Sequence, residues 1–277
     1  MSATDARRPK HIGEDIRNPE SRVILGTRVH ASSYADATEA VLLWAKIGAS
    51  KYVCATGAHG VIEAQDDPSF KQVLNEADLN VPDGMSLVKA LQRLGAIGAS
   101  RVYGPDLMLH VCNAAAEAGI PIALYGSTRE TLDRLEERLP QVAPGLQIAC
   151  AISPPFRALT EEEDETDIRQ ITNSGARIVF VGLGCPRQEL WCAAHKGRIP
   201  AVMLAVGAAF DFHAGQLRQS PIVLQQLGLE WAFRLAIEPL RLWKRYARVV
   251  PRFMVGFAHQ MRQERKEKQI AVTSARE

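Results

Sequence analysis

Three turns in this chain place polar residues where a short apolar run gives way to an amphipathic one. In NVPDGMSLV (80–88), Asp83 and Gly84 separate a short strand from a helix. Asp-Gly is a common turn pair, so a turn former or helix cap is the ordinary reading. The chemical reading is a carboxylate at a strand's end, able to accept a proton from an incoming hydroxyl. Thr56, which closes the run YVCAT, could face the same cleft. In VFVGLGCPRQELW (179–191), Gly182 and Gly184 form a turn that leads into a helix with Pro186 in its first turn. Free N–H groups and the positive helix end at a strand's carboxyl edge suit a phosphate. A dinucleotide fingerprint needs a third glycine where Arg187 stands, which makes an NAD-type site a weak reading. Arg187 and Gln188 then become polar groups at the mouth of that turn. ALYGS (123–127) repeats the logic with Gly126 and Ser127, although capping of the next helix accounts for Ser127 equally well.

GAAFDFHAGQLRQSP (207–221) carries Asp211, His213 and Arg218 after another apolar run. An Asp–His hydrogen bond that fixes a loop is commoner than a catalytic pair. No DxD triplet occurs in the chain, and such paired carboxylates are what metal-dependent nucleotide-sugar transferases often use to hold a divalent ion. Charge neutralisation therefore falls to helix ends and arginines, with no metal and no cofactor expected. The five cysteines show no CxxC pair and the seven histidines no HExxH pattern, so reduced thiols are expected, with neither a disulfide framework nor a zinc site.

The C-terminal stretch GLEWAFRLAIEPLRLWKRYARVVPRFM (228–254) interleaves Trp231, Trp243, Tyr246 and Phe253 with Arg234, Arg241, Arg245, Arg248 and Arg252. From Trp231 onward there are 11 Lys/Arg against 4 Asp/Glu, whereas the whole chain is only +2. A basic appendage on a mildly acidic body follows. At about 100° per residue, Leu242, Trp243, Tyr246, Val249, Val250, Phe253 and Phe257 share one helix face, and Arg241, Arg245, Arg248 and Arg252 the other. Pro251 predicts a kink or break just before it. A helix of this kind docks on its own domain, meets a membrane surface, or attracts nucleic-acid phosphates.

The elements that must position these groups alternate. Strands are predicted at 22–25, 52–56, 79–81, 122–125, 147–151, 178–181 and 201–206. Helices are predicted at 34–47, 68–76, 84–94, 106–118, 128–139, 161–173 and 186–196, with capping boxes Ser127-x-x-Glu130 and Thr160-x-x-Glu163. This pattern predicts an α/β fold: a mainly parallel sheet of Rossmann-like βαβ units with a basic amphipathic helical appendage. The predicted organisation is a disordered segment over 1–20, a catalytic α/β domain over 21–227 and the appendage over 228–277. With 47% hydrophobic and 23% charged residues the composition is that of a soluble protein. The longest apolar run, 201–210, is about half the ~18–20 residues that span a bilayer. The start, MSATDARRPK, lacks an apolar signal region. Any membrane contact is thus expected to be peripheral, on the cytoplasmic face of the plasma membrane.

Taken in order, ATGAHGVIEAQDDPSF, ADLNVPDG, RVYGPDLM, ALYGS, SPPFR, VGLGCPRQELW, GAAFDFHAG and GLEWAFRLAIEPLRLWKRY resemble the WecG/TagA/CpsF family of bacterial glycosyltransferases, from about residue 22 to residue 253. The resemblance implies an inverting, metal-independent transfer from a UDP-sugar to a polyprenyl-pyrophosphate-linked saccharide in cell-surface or exopolysaccharide synthesis. It implies that Asp83 is the base and that Thr56 and Gln188 lie near the substrate. Gly126, Ser127, Gly182, Gly184 and Arg187 are then the candidate donor-nucleotide contacts. Arg218, Arg234, Arg241 and Arg245, with Trp231 and Trp243, become candidates for the acceptor's pyrophosphate and the membrane surface. A homo-oligomer stays open, and nucleic acid is not among the implied partners. The chain departs from the family pattern at Ala58, where many members have asparagine, and at Gln219-Ser220-Pro221, where many read Arg-Ala-Pro. The competing classes are a Rossmann-like nucleotide-dependent oxidoreductase and a non-catalytic module binding membrane or nucleic acid.

Overall fold

A computed structural model describes residues 19–217, 219–221, 223–224 and 229–274. Its elements follow the predicted alternation. After a hairpin, β1 (Ser21–Ile24) and β2 (Thr27–His30), come α1 (Tyr34–Lys46), β3 (Lys51–Thr56), α2 (Ala58–Asp66), α3 (Pro68–Glu76) and β4 (Leu79–Pro82). Next are α4 (Met85–Arg93), α5 (Gly104–Glu117), β5 (Ile122–Gly126), α6 (Arg129–Val142), β6 (Ile148–Ile152), α7 (Glu161–Asn173) and β7 (Ile178–Gly182). The chain continues through α8 (Arg187–His195), β8 (Val202–Ala205), α9 (Ala209–His213), α10 (Glu230–Ile237) and α11 (Pro239–Ser274). Strands β3 to β8 form one parallel sheet in the order β4-β3-β8-β7-β5-β6. Near-continuous burial of β5, β7 and β8 is what a sheet covered by helices on both faces requires. Alternate residues of each strand feed opposite layers: Val53, Leu124, Phe180 and Leu204 one core, Cys54, Tyr125, Val181 and Ala205 the other.

Local chemistry sets most boundaries, and some predictions need correcting. Thr160 and Glu163 form the expected reciprocal capping box, and Ser33 with Asp36 forms another. The box predicted at Ser127 is absent. Ser127 is held at φ +60°, just past the left-handed Gly126, and Thr128 caps α6 by accepting the Thr131 N–H. The second hairpin strand β2 and the helices α2 and α9 were not predicted from sequence. Each is too short or too mixed in polarity to show a period.

Of the kink or break predicted before Pro251, the break does not occur: α11 runs through it. Pro251 and Ala247, whose carbonyl loses its helical donor, both lie on the exposed side, which keeps the gap in the hydrogen-bond ladder out of the core. The apolar face docks on the body. Val249, Phe253 and Phe257 are buried with Ile24 and Val29 of the hairpin, Val61 and Ile62 of α2, and Leu87 and Leu91 of α4. Burial of each phenylalanine contributes about 1.5–3 kcal/mol. Gln260 accepts the Leu25 N–H (2.9 Å) and donates to the Val23 carbonyl (2.8 Å), clasping the tight 25–26 turn, where both residues have positive φ. Arg248 and Arg252, on the predicted basic face, bond Asp66 of α2. Trp243 (52% exposed) and Val250 stay open to solvent, so the predicted apolar face is split between core and surface; Met254 and Val255, outside that face, are exposed too. Among the described residues no helix is long and apolar enough to cross a membrane.

Candidate active site

Register in the parallel sheet brings the candidate residues together. Thr56 of β3 pairs with Pro82 of β4, so the next residue, Asp83, leaves the sheet beside Thr56 and donates its N–H to the Thr56 carbonyl (2.9 Å). Asp83 Oδ1 accepts the Gly104 N–H at the start of α5 (2.7 Å), and its carbonyl accepts Arg101 Nε (2.8 Å). Two bonds thus fix the Asp83 backbone and one its carboxylate, with the positive end of α5 facing that carboxylate. Gly104 has to be glycine: a Cβ there would lie 2.8 Å from the Val206 carbonyl oxygen beyond β8. Arg101 stacks on Tyr103, its guanidinium carbon 4.1 Å from the ring centre.

Gln188 reaches the same place from α8. Its Oε1 accepts the N–H groups of Gly184 (3.2 Å) and Gly207 (3.1 Å), tying the turn after β7 to the turn after β8. Its Nε2 donates to Glu189 Oε1 (2.9 Å). Gln188 is 2% exposed, which makes it a buried strut as well as part of the wall. Consequently the Gly184 N–H is already engaged, and an anion at this turn would have to be met by other donors. The acid–histidine pair is also resolved. His213 Nε2 donates to the Pro105 carbonyl (2.8 Å), tying α9 to the start of α5, and burial lowers its pKa.

These groups line one cavity of about 1250 Å³ outside the carboxyl ends of β3, β4, β7 and β8. That edge is where open α/β sheets bind ligands. The volume exceeds the ~300–1000 Å³ of an ordinary small-molecule pocket and leaves room for two substrates. Asp83, Thr56, Gln188, Gly184, Trp231, Arg234 and Arg245 all contribute to its wall. Thr56 Oγ1 is buried there without a hydrogen-bond partner. Arg245 lies 5.3 Å from the Tyr246 ring, which meets Trp231 edge-on at 5.9 Å, and Arg234 lies 5.7 Å from the ring of Phe212. Among the described lining residues Lys and Arg outnumber Asp and Glu by seven to three, so the cavity favours an anion.

Other predicted contacts lie elsewhere. Gly126, Ser127, Gly182, Arg187 and Trp243 are not among the lining residues. A Cβ on Gly126 would sit 2.7 Å from the Gly182 carbonyl oxygen, and one on Gly182 would sit 2.6 Å from Phe210 Cδ2. Close packing at the sheet's edge accounts for both glycines. The Ser127 carbonyl accepts the Ser153 hydroxyl (2.8 Å), and Arg187 is exposed. Arg218 lies outside the described residues, as does the side chain of Arg241 on α11. Sequence reasoning passed over Arg101, Tyr103, Glu189 and the α4 cations Lys89 and Arg93, all on the cavity. RVYGPDLM contributed to the resemblance, but nothing in its spacing marks Arg101 as reaching back to Asp83.

Comparison with known proteins gives the chain a family. Residues 22–267 match the family described as "Glycosyl transferase WecG/TagA/CpsF family". Relatives from Staphylococcus aureus strains NCTC 8325, COL and MW2 are 30% identical over 203 residues, spanning 72% of this chain and 76% of theirs. They carry the name N-acetylglucosaminyldiphosphoundecaprenol N-acetyl-beta-D-mannosaminyltransferase. A match over nearly the whole α/β body and most of α11, with Asp83, Thr56 and Gln188 gathered on one cavity, means that this chain belongs to the WecG/TagA/CpsF family and is a glycosyltransferase.

Proposed function

We propose that the protein moves a sugar, with inversion and without a metal, from a UDP-sugar to a saccharide linked to a polyprenyl diphosphate, working at the cytoplasmic surface of the membrane. The relatives' names make N-acetylmannosamine the first donor sugar to test and a GlcNAc-diphosphate lipid the first acceptor. One observation carries the reading: Asp83 stands fixed at the sheet's carboxyl edge beside the unpartnered hydroxyl of Thr56, in a cationic cavity large enough for two substrates.

In this reading Asp83 takes the proton of the acceptor hydroxyl as that oxygen attacks the anomeric carbon. General-base help of this kind is worth about 10²–10⁴-fold. UDP departs with growing negative charge. Because the Gly184 N–H is occupied by Gln188, side-chain cations such as Arg101 carry more of that charge than the glycine turn does. Arg234 and Arg245 take the acceptor's diphosphate through forked hydrogen bonds, and exposed Trp243 and Met254 meet the lipid surface. Residues 229–274 act as the acceptor-binding part and the preceding α/β body as the catalytic part.

Asp83→Asn tests the base directly. Turnover, followed as UDP release with a polyprenyl-diphosphate-linked GlcNAc acceptor, should fall at least tenfold while UDP-sugar affinity stays within about twofold. Near-normal turnover in that variant would remove Asp83 from the role.

A further inference from the structure

Glu189 is a buried carboxyl that the proposed chemistry does not use. It is 3% exposed, lies in the first turn of α8 and forms part of the cavity wall. Oε1 accepts from Gln188 Nε2 at 2.9 Å; among the described residues no N–H or O–H donor reaches Oε2, and the Cys185 thiol lies beside the carboxyl. Among the described residues the titratable groups nearest it are thiols, and the closest cation stands beyond them. The thiols are Cys54 on β3, Cys192 on α8 and Cys185 in the preceding turn, with Glu63 of α2 and Arg245 of α11 flanking Cys185 farther out. Both Cys54 and Cys192 are buried, and burial pushes their thiols up, so they stay neutral. Burial also raises the Glu189 carboxyl from 4.5 to about 7, against the opposing pull of the Gln188 bond, of its own N–H and of the Cys185 thiol.

A proton on Oε2 removes an uncompensated charge and turns an unsatisfied acceptor into a donor. The Gln188 bond survives, since Oε1 accepts in either state. An ionised Glu189 would set a negative charge in the wall of a cavity that otherwise favours anions.

We infer that Glu189 is a proton-carrying positioning residue: it fixes the Gln188 amide between the Gly184 and Gly207 turns, and an anionic diphosphate enters the cavity together with its proton. The first half needs only the geometry of the empty protein. The second rests on the proposed UDP-sugar reading of the cavity.

Glu189→Gln tests both halves, because a glutamine oxygen still accepts from Gln188 but never ionises. Melting temperatures of the full chain without ligand test the first half. A folded-state pKa above the unfolded one adds stability below about pH 4.5 that is lost as pH rises to about 7. The melting temperature of E189Q relative to wild type should therefore climb across that window and level off above it. A flat difference overturns the proton assignment. Calorimetry with UDP-N-acetylmannosamine, whose diphosphate does not titrate near neutrality, tests the second half in paired buffers of different ionisation heat. Wild type should bind about tenfold more weakly at about pH 8 than at about pH 6, taking up most of a proton per ligand at the higher pH. E189Q should show neither effect. Equal wild-type affinity at the two pH values, without proton uptake, refutes the linkage. Absence of binding at both refutes the donor reading and the linkage with it, leaving the melting result to decide the proton.

Discussion

Gly182 offers a test that separates packing from ligand contact. As a phosphate-turn residue it would tolerate alanine in the fold and lose nucleotide affinity. In the structure its φ lies outside the left-handed region, so space is the only constraint. An added Cβ would meet Phe210 Cδ2 at 2.6 Å, Cγ at 2.8 Å and Cε2 at 3.0 Å, where carbon atoms ordinarily approach to about 3.5–4.0 Å. Phe210 is 1% exposed in the larger core cluster and cannot swing aside without disturbing its neighbours. Overpacking of this kind costs about 1–3 kcal/mol, and a chain of this size loses about 2–4 °C of melting temperature per kcal/mol. Gly182→Ala should therefore melt about 2–12 °C lower. The companion Phe210→Leu has its own cost but removes the obstructing ring. The double variant should thus lose less than the sum of the two by about 1–2 kcal/mol, a coupling measurable in a double-mutant cycle. UDP-sugar affinity, measured well below the melting point, should stay within about twofold. A Gly182→Ala protein that melts like wild type, or losses that simply add, would refute the packing account. A selective loss of affinity would restore the phosphate-turn reading.

Gln188→Ala leaves the Gly184 and Gly207 amides without their shared acceptor; hydrogen exchange at both should quicken, and turnover should drop more than stability does, because neither turn is deeply buried. Asp66→Asn removes the partner of Arg248 and Arg252, and hydrogen exchange should rise along the middle of α11 while the sheet is unaffected. The two guanidiniums hold the Asp66 carboxyl well below the usual carboxylate range, so the stability this clasp contributes is fully present above about pH 3.8 and is lost as pH falls from there toward the lowered folded-state value. His30 links β2 to β4 by accepting the Asn80 N–H (3.0 Å), and burial lowers its pKa from 6.5 to about 4. The unfolded chain takes up that proton first, so stability present above about pH 6.5 is lost as pH falls toward 4. His30→Asn should flatten this decline in a pH series of melting temperatures; an unchanged slope would show that His30 is not its source.

Periodicity and punctuation along the chain were enough for the parallel α/β architecture, because each βαβ unit is local and its strands are buried on both faces. The helices over 68–76 and 161–173 were legible to the residue, since Asp67 with Pro68 and Thr160 with Glu163 are capping chemistry written in adjacent positions. The positions of Asp83, Thr56 and Gln188 at element ends were legible too, for the same reason. Their convergence was not. It depends on β8 inserting between β3 and β7, which brings Gly207 within reach of Gln188 and sets the mouth of β7 opposite Asp83. Gly126 and Gly182 looked like ligand turns because a sequence cannot distinguish a glycine that admits a phosphate from one that admits a phenyl ring. The basic C-terminal stretch was plain in its composition. Only the tertiary fold divided it, laying Val249, Phe253 and Phe257 into a core made by the hairpin, α2 and α4, engaging Arg248 and Arg252 with Asp66, and leaving Arg234 and Arg245 on the cavity. Helical period sorts residues by angle, but which angle faces core, counter-ion or substrate is decided by the partners packed against it.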